Sequence, residues 1–462
     1  GDYGNLVMNL KSGFNRDFPS NITIASADPS DPAVFSKLGL NAVSNLTIDG
    51  VVFDYKFAPG DLLTTRPNAI NNSQNITIIN STFDGDVASG VSAYSDGYGA
   101  AVGLSVRGST GVTVQNNEFF SWHRGLVVQD AQNVKVIGND VHDIRSDGMD
   151  FVDVQKVLIE DNYIHDFRAS YASSDHRDMI QFWTTGTTTP STDITIRGNT
   201  LDIGDGAYTQ SIFMRNEMVD TKQAGHEMFY KNILIEDNTI YNGHLHGITV
   251  GETNGLTIRN NSVIAVIDEN NPNQNGSGVW IPTIRVSRLS ENVAITGNAV
   301  ANIEGHTGQA GWTLYKNAFI QNSNPFLPGY YGDVFVSSSL GGDAGAHSYI
   351  AMSGGMLDLL KAGSSDTAFS AALGNAEALY TVKDVPDDGS ARVFDASLTA
   401  KAFGALDLTG ATYLWSFGDG TTATGRVVSH AFADGGNYDV SLKIKLPNGS
   451  FLTTSSEVGI NG

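Results

Sequence analysis

Short apolar strands recur along the first two thirds of the chain. Segments such as NLTIDGVVF (45–53), NVKVIGNDV (133–141) and NILIEDNTI (232–240) share an alternating apolar strand, a short polar turn and a second apolar start. Nine such segments begin at residues 45, 75, 111, 133, 156, 193, 232, 255 and 292. Alternation at every second residue indicates a strand with one buried face. Repetition of the unit predicts a solenoid whose neighbouring turns share one core.

Seven of the polar turns carry an asparagine in register. They are Asn117, Asn139, Asn162, Asn199, Asn238, Asn261 and Asn298. The gaps between them range from 22 to 39 residues, and the shortest gap fits one rung of a parallel β-helix. In stacked rungs these amides can hydrogen-bond along the stack. The alternative is that asparagine merely tolerates the left-handed backbone of a turn.

A second series of strands lies between those turns. Its members read HRGLVVQD (123–130), SDGMDFVD (146–153), RDMIQFWT (177–184), QSIFMRNE (210–217), HGITVGET (246–253) and SGVWIPTI (277–284). Each rung therefore has at least two strands with separate faces, and neighbouring rungs lie about 4.8 Å apart. This all-β architecture resembles the right-handed parallel β-helix of the pectin-lyase-like superfamily over residues 1–310. The superfamily contains lyases, hydrolases, epimerases and adhesins, so the resemblance implies a fold and not a reaction.

The C-terminal third has a different style. The repeat fades over residues 311–378, where the Ala/Leu-rich stretch 357–380 predicts a partly helical cap and linker. Residues 379–462 contain W-S-F-G-D-G, a histidine and G-x-Y-x-V, and they resemble a PKD domain, an immunoglobulin-like β-sandwich. The matching residues are Trp415, Phe417, Gly418, Asp419, Gly420, His430, Gly436, Tyr438 and Val440. We expect structural roles for Asp419 and His430. The resemblance implies a secreted or cell-surface bacterial protein.

Composition narrows the class of partner. The chain has 27 Lys and Arg against 49 Asp and Glu, a net charge of −22, which argues against nucleic-acid binding. No apolar run reaches the ~18 residues of a transmembrane helix. The absence of cysteine excludes disulfides and thiolate metal sites. Residue 1 opens directly on a strand-like sequence without a signal segment, which we interpret as prior processing of the N-terminus.

Alignment of the second strand series gives a chemically rich outer column. Its outward positions are Val127, Asp150, Gln181, Phe213, Thr249 and Trp280. Three residues earlier lie Arg124, Asp147, Asp178, Gln210, His246 and Ser277, which we place in the turns that lead into each strand. Long insertions at 166–176, 184–192, 203–209 and 216–231 surround this face and favour a built site. We predict a groove that holds an extended, anionic polysaccharide.

The candidate residues divide into two sets. The catalytic candidates are Asp147, Asp150, His176, Arg177, Asp178, Gln181, Arg215 and His246. The substrate-binding candidates are Arg124, Trp183, Glu217, Lys222, His244, Trp280 and Arg285. Arginine can hold a uronate or sulfate through two parallel hydrogen bonds, and tryptophan offers a flat face to a sugar ring. Surface ion pairs of Arg177 with Asp175, and of Arg215 with Glu217, are the structural alternative.

The leading hypothesis is β-elimination at a uronic acid. That reaction needs a cation for the substrate carboxylate (Arg177 or Arg215), a base for the C5 proton (His176 or His246), and an acid for the leaving oxygen. Tyr171 or the other histidine would supply the acid. Related lyases commonly use Ca²⁺, so Ca²⁺ is a possible cofactor, but the spacing of carboxylates such as Asp84 and Asp86 fixes no metal site.

Two alternatives remain open at this point. The segments around Asp147, Asp178, His246 and Arg285 are similar to polygalacturonase-like hydrolases, which implies inverting hydrolysis with Asp150 and Asp178. One aspartate of that pattern and a lysine after Arg285 are missing. The other alternative is a uronan C5-epimerase or a non-catalytic glycan-binding adhesin. The polysaccharide, endo or exo action, the metal requirement and the oligomeric state do not follow from the sequence.

Overall fold

The computed structural model describes residues 1–9, 17–170, 173–266, 281–336, 349–352, 354–367, 378–386, 388–397, 399, 408–445 and 451–460. The chain forms two compact units, residues 1–317 and 318–462. Among the described residues no helix is longer than five residues, and none has the length and apolar character needed to cross a membrane.

The first unit is a parallel β-helix with three strand columns. The groove column is Asn5–Met8, Lys37–Asn41, Ala69–Asn71, Ala100–Arg107, Trp122–Ile137, Met149–Glu160, Asp178–Trp183, Gln210–Met214, His246–Val250, Thr283–Val286 and Ile303–Glu304. The second column is Asp17–Ala25, Ser44–Asp49, Gln74–Ile79, Thr110–Gln115, Thr192–Arg197, Tyr230–Glu236, Thr253–Arg259, Glu291–Thr296 and Thr313–Tyr315. Strands Trp122–Ile137 and Met149–Glu160 run through both columns and join them into a 20-stranded sheet.

The third column closes each rung with short strands. They are Val34–Phe35, Val52–Asp54, Thr82–Asp84, Glu118–Phe120, Asp140–His142, Tyr163–His165, Thr200–Asp202, Thr239–Asn242, Ser262–Ala265 and Ala299–Val300. Helix Glu217–Asp220 and the 3₁₀ turn His226–Met228 lie in the predicted insertion 216–231. Inward residues such as Leu126, Met149 and Ile180 align between rungs and fill one continuous core. The predicted solenoid is confirmed.

The predicted asparagine stack is also confirmed. Each side-chain Nδ2 donates to the Oδ1 of the asparagine on the next rung at 2.8–3.0 Å. The ladder ends on Asn317, which the sequence analysis missed. The left-handed backbone, with φ of 52–66°, belongs to the residue before each asparagine, from Asn116 to Lys316. The two interpretations therefore apply to neighbouring residues, and the ladder asparagines themselves are hydrogen-bonding groups.

The second unit is described by itself. Short elements come first: strands Ala318–Phe319, Phe335–Val336 and Ile350–Ala351, helices Tyr331–Val334 and Met356–Leu360, and the 3₁₀ turn Ser365–Thr367. Two antiparallel sheets follow. One contains Thr381–Val385, Asp388–Asp395 and Val427–Ala431, and the other contains Thr422–Thr424, Thr412–Ser416, Gly436–Lys445 and Phe451–Ile460. The predicted helical stretch 357–380 is described only in part, because residues 368–377 lie outside the described residues.

Aromatic side chains form the core of this sandwich. Trp415, Phe394 and Phe417 are buried, and the Trp415 Nε1 donates to the Gly425 carbonyl at 2.8 Å. His430 stacks on Phe417, and its Nε2 lies 2.7 Å from Asp419 Oδ2. These contacts fit the structural roles expected for Asp419 and His430.

Candidate functional site

The groove column brings six outward residues into one line. Strand pairing aligns Val127, Asp150, Gln181, Phe213, Thr249 and Arg285 on successive rungs. The structure differs from two of the sequence predictions for this column, the position of Trp280 and the placement of the residues that enter each strand. The last strand begins at Thr283, after Pro282, so Arg285 takes the place assigned to Trp280. Trp280 lies outside the described residues.

The second correction concerns the entry residues. Asp178, Gln210 and His246 are the first residues of their strands and not turn residues, because main-chain pairing already begins there. Arg124 lies within a strand, Asp147 precedes its strand as expected, and Ser277 lies outside the described residues. The rungs approach closely at Gly148, whose N donates to the Asp178 carbonyl at 2.8 Å. A Cβ at Gly148 would lie 2.6 Å from the Met179 carbonyl oxygen, so glycine is required for this approach.

Three buried carboxyl groups form the floor of the site. Asp147, Asp150 and Asp178 are at most 1% exposed. Arg124 covers two of them, with Nε 3.1 Å from Asp147 Oδ2 and Nη1 3.2 Å from Asp150 Oδ2. In the described part of the chain the Oδ1 atoms of all three have no hydrogen-bond partner. Such groups are expensive to bury and need a reason to persist.

Burial changes the charge of these carboxyl groups. Loss of solvation raises the pKa of Asp147, and it raises that of Asp150 well above its usual range, helped by the charge of Asp147. Burial also raises the pKa of Asp178 to about 7, although the bond from His176 opposes the shift. The carboxyl groups of the floor therefore retain protons near neutral pH, and the Arg124 guanidinium beside them stays positively charged.

His176 stands above this floor and reaches solvent. Its side chain is 52% exposed, whereas that of Asp178 is 0% exposed. The imidazole Nδ1 lies 2.6 Å from Asp178 Oδ2, and the Gln210 amide donates to Nε2 at 2.7 Å. The hydrogen bond that His176 donates to the Asp178 carboxylate raises the pKa of His176. This arrangement fixes a tautomer with the proton on Nδ1 and a lone pair on Nε2.

The loop before His176 is anchored from below. Arg145 is buried, and its Nε donates to Asp175 Oδ2 at 2.7 Å. His123 Nε2 lies 3.8 Å from Asp175 Oδ1, and the Ser146 hydroxyl donates to the His176 carbonyl at 2.5 Å. The sequence did not identify these anchors or Gln210 as candidates for catalysis or substrate binding. Only Gln210 left a signal in the sequence, since it occupies the column of Asp147 and Asp178.

Further aromatic and basic groups continue the groove. Phe213 lies between His176 and His246, with ring centroids 5.7 and 4.9 Å away, and His244 stacks on His246 at 5.4 Å. Burial lowers the pKa of both His244 and His246 to about 4. Beyond them is a depression of about 470 Å³ whose lining includes His246, Arg215 and Arg285.

The other predicted residues take more varied positions. Arg124 lies over the Trp183 ring at 5.5 Å, and the Gln181 Nε2 lies 3.3 Å from His176 Nδ1. Arg177 Nε donates to the Tyr208 carbonyl at 3.0 Å. Asp175, the partner of Arg177 in the structural alternative, pairs with the buried Arg145.

Three of the candidates lie in or beside the short helix Glu217–Asp220. Arg215 precedes the helix and pairs with Asp220 at 2.8 Å, not with Glu217 as in the structural alternative. The Glu217 carboxylate instead accepts a bond from the Thr184 backbone N at 2.9 Å, so it holds that turn. Lys222 is exposed after the helix. These positions separate Glu217 from the line of groove residues.

A metal fit can be tested on the ligand atoms. Within the described ranges, one group of three metal-capable side chains occurs, Asp147, His176 and Asp178, with ligand atoms within 4.8 Å of one another. Ca²⁺ takes six to eight oxygen ligands, and an imidazole with two carboxylates does not fit it. Copper favours imidazole, thiolate and thioether ligands, and a single imidazole does not fit it either.

The family comparisons agree with the two halves of the architecture. Residues 69–168 and 102–210 match the family described as right-handed β-helix region, and residues 172–328 match that described as periplasmic copper-binding protein (NosD). Residues 380–459 match the PKD domain. No curated protein matches the chain.

Several solved structures are similar to the chain. The surface adhesin PfbA of Streptococcus pneumoniae is 13% identical, with a TM-score of 0.39 over 69% of this chain and 70% of that one. The Dettilon tailspike protein is 12% identical, with a TM-score of 0.42 over 96% and 73%. A hyperthermoactive exopolygalacturonase from Thermotoga maritima is 13% identical, with a TM-score of 0.32 over 63% and 81%. The chain is a right-handed parallel β-helix protein with a C-terminal PKD domain.

Proposed function

We propose that the β-helix carries an active site that cleaves an anionic polysaccharide by β-elimination at a uronic acid. One observation carries the proposal: His176 is the exposed member of a His–Asp pair, and its partner Asp178 is fully buried. A buried carboxylate that orients an exposed imidazole is a recurring way to position a general base. The substrate meets the imidazole first and the carboxyl floor only through it.

The proposed reaction uses His176 for both proton transfers. The substrate first displaces the Gln210 amide from Nε2. Nε2 then takes the C5 proton, the electron pair of the C5–H bond forms the C4–C5 double bond, and the C4–O4 bond breaks. The imidazolium then returns its proton to the leaving O4 on the same face of the sugar. His244 and His246 are poor proton donors at neutral pH, because burial lowers their pKa to about 4. Tyr171, the other acid considered, lies outside the described residues.

Arginines beside the imidazole would neutralise the substrate carboxylate. Arg177 is close enough to lower the pKa of both His176 and His244 through its charge. Arg285 does the same to His246 one rung further along. Charge neutralisation stabilises the enolate-like state that forms when the C5 proton leaves. Arg124 is a weaker candidate for this role, since Asp147 and Asp150 already oppose its charge.

Inverting hydrolysis fits this geometry less well. Asp150 is 0% exposed beneath Arg124, so it has no direct path to a glycosidic oxygen or a water. A C5-epimerase would share the first proton transfer and would differ only in the fate of the carbanion.

The biological setting belongs to the same proposal. We place the protein outside the bacterial cytoplasm, secreted or at the cell surface, because its partner would be an extracellular acidic polysaccharide. The β-helix and PKD matches are compatible with that setting.

The test is a degradation screen over alginate, pectate, glucuronan and carrageenans. Each digest is followed for the ultraviolet absorbance of an unsaturated uronate, for reducing ends, and for deuterium uptake at C5 in heavy water. We expect new reducing ends together with the absorbance, both abolished in His176→Ala. Reducing ends without absorbance would mean hydrolysis. Deuterium uptake without cleavage would mean epimerisation, and no signal on any polymer would favour an adhesin.

A further inference from the structure

The PKD domain has an open groove on the outer face of its four-stranded sheet. The groove has a volume of about 750 Å³, and its lining includes Thr412, Leu414, Thr424, Arg426, Lys443 and Lys445. Strand pairing places Leu414 beside Lys443 and Thr412 beside Lys445. These side chains therefore share one face of the sheet.

The core of the sandwich is formed by the inward-facing residues of these strands, so the outward-facing residues of the groove are not part of it. Along the same strands Trp415, Leu442 and Ile444 point inward and are buried. Leu414 is 47% exposed, and Arg426, Lys443 and Lys445 are exposed as well. An apolar side chain among three cations is a combination that folding does not require.

The groove is positively charged, whereas the chain as a whole is negatively charged. The protein has 49 acidic residues for 27 Lys and Arg, a net charge of −22. Yet none of the nine described residues that line the groove is acidic, and three of them are cationic. Residues 379–462 contain six Lys and Arg in total, so half of them lie here. A local positive field of this kind attracts an anionic ligand, and salt weakens it.

We propose that this groove is a binding site for an anionic polysaccharide. Lys443, Lys445 and Arg426 would hold carboxylate or sulfate groups, and Leu414 would pack against the apolar face of a sugar ring. The hydroxyl of Thr412 can donate to ring substituents. The identity of the polymer rests on the proposed function, since a uronate polymer is what the β-helix would cleave.

Such a site would tether the enzyme to its polymer. Two linked binding sites raise the effective concentration of substrate at the second one without any new contact there. The expected consequence is a gain in affinity for long chains, with no effect on short oligouronates that occupy the β-helix groove alone.

The test compares two lysine pairs in the full chain. The groove pair is Lys443→Gln with Lys445→Gln, and the matched control is Lys361→Gln with Lys383→Gln, two exposed lysines elsewhere in the same unit. Retardation in gels that contain pectate, alginate or glucuronan measures affinity, and dextran is the neutral control. We expect the groove pair to lose affinity about tenfold for the acidic polymers and the control pair to change less than twofold. Thermal melting checks that both pairs are folded.

Three results would overturn the site. The two pairs could bind acidic polymers equally well, or the groove pair could lose only binding to phosphatidylserine vesicles, which would mean a membrane surface. Sedimentation could also show that the groove pair abolishes a dimer. Cleavage of a short oligouronate is measured in parallel and should be unchanged in the groove pair. Lysine-dependent retention without cleavage would refute the proposed function alone, and cleavage without such retention would refute this site alone.

Discussion

Two buried columns of polar side chains run along the same solenoid and are satisfied very differently. In the asparagine ladder, each amide of an interior asparagine donates to the next asparagine and to a backbone carbonyl, and its oxygen also accepts a backbone N–H. In the carboxyl floor, Asp147, Asp150 and Asp178 are buried just as deeply, but their Oδ1 atoms lack partners among the described residues.

The difference separates a stabilising column from a chemically active one. A fully satisfied polar stack in a low-dielectric interior stabilises and specifies the register of the rungs. Incompletely satisfied carboxyl groups cost stability and shift their pKa values, and such shifts concentrate at functional sites. The exposed imidazole of His176 lies on the second column and not on the first.

The comparison predicts its largest effect for His176→Ala. Loss of a general base typically lowers kcat by about 10²–10⁴-fold, and the free energy of unfolding should change by less than about 1 kcal/mol because the ring is half exposed. The matched control is His226→Ala, an exposed histidine paired with Glu291. Steady-state kinetics and urea unfolding measure both quantities. A His176→Ala variant with wild-type activity would show that His176 is not the general base.

Asn199→Ala should have the converse effect. The amide of Asn199 bonds Asn238 and the Ile159 carbonyl, and its oxygen accepts from Asn162. Removal leaves several buried partners unpaired, so we expect a loss of about 2–4 kcal/mol in unfolding free energy with unchanged kcat below the melting temperature.

The control for the ladder is Asn254→Ala. This half-buried amide donates to Glu291 at 3.1 Å and accepts from Asn292 at 2.8 Å in bonds that water can reach, so its loss should cost less than about 1 kcal/mol. If Asn199→Ala fails to fold, Asn298→Ala tests the same bonds near the end of the ladder. Equal costs for the ladder and the control would contradict the comparison.

The periodic features of the molecule were predictable from the sequence, and the reason is physical. A strand that repeats against a copy of itself must keep its alternation and its turn asparagine, so Asn117 to Asn298 and the inward residues of each rung could be read directly. Insertions break that argument. The segment inserted before Thr283 obscured how that strand aligns with its neighbour, so Trp280 was assigned the position that Arg285 occupies.

The sequence predicted which face of the β-helix contains the site, but not the arrangement of the side chains within it. The sequence placed Asp147, Asp150, Asp178 and His176 near one groove, but it could not give their burial. The lid made by Arg124, and the Arg145–Asp175 anchor, depend on side-chain directions that no spacing encodes. The PKD motif, by contrast, was readable residue by residue because its aromatic core is local in sequence.

Asp178→Asn tests how pH acts on the carboxyl floor. The folded pKa of Asp178 is raised to about 7 from 3.8, so its contribution to stability is fully present below pH ~4 and is lost as the pH rises through ~7. Relative to wild type, the variant should gain about 1–3 kcal/mol between pH 4 and pH 8. Urea unfolding over this range measures the difference. A constant difference would mean that Asp178 does not titrate in the fold.

The same variant should shift the pH dependence of cleavage by a smaller amount. His176 acts as a base only when neutral, and its bond to Asp178 raises its pKa above 6.5. The acidic limb of kcat/KM should therefore lie above pH 6.5 in the wild type and move to lower pH in Asp178→Asn. An unmoved limb would show that another group sets it.

The most direct test of the central claim follows one digest of a uronate polymer by ultraviolet absorbance and by reducing ends together. Wild type, His176→Ala and His226→Ala are compared at equal concentration. The account predicts that both signals rise in step for wild type and His226→Ala and that neither rises for His176→Ala. Reducing ends that accumulate without absorbance, or cleavage that survives in His176→Ala, would contradict it.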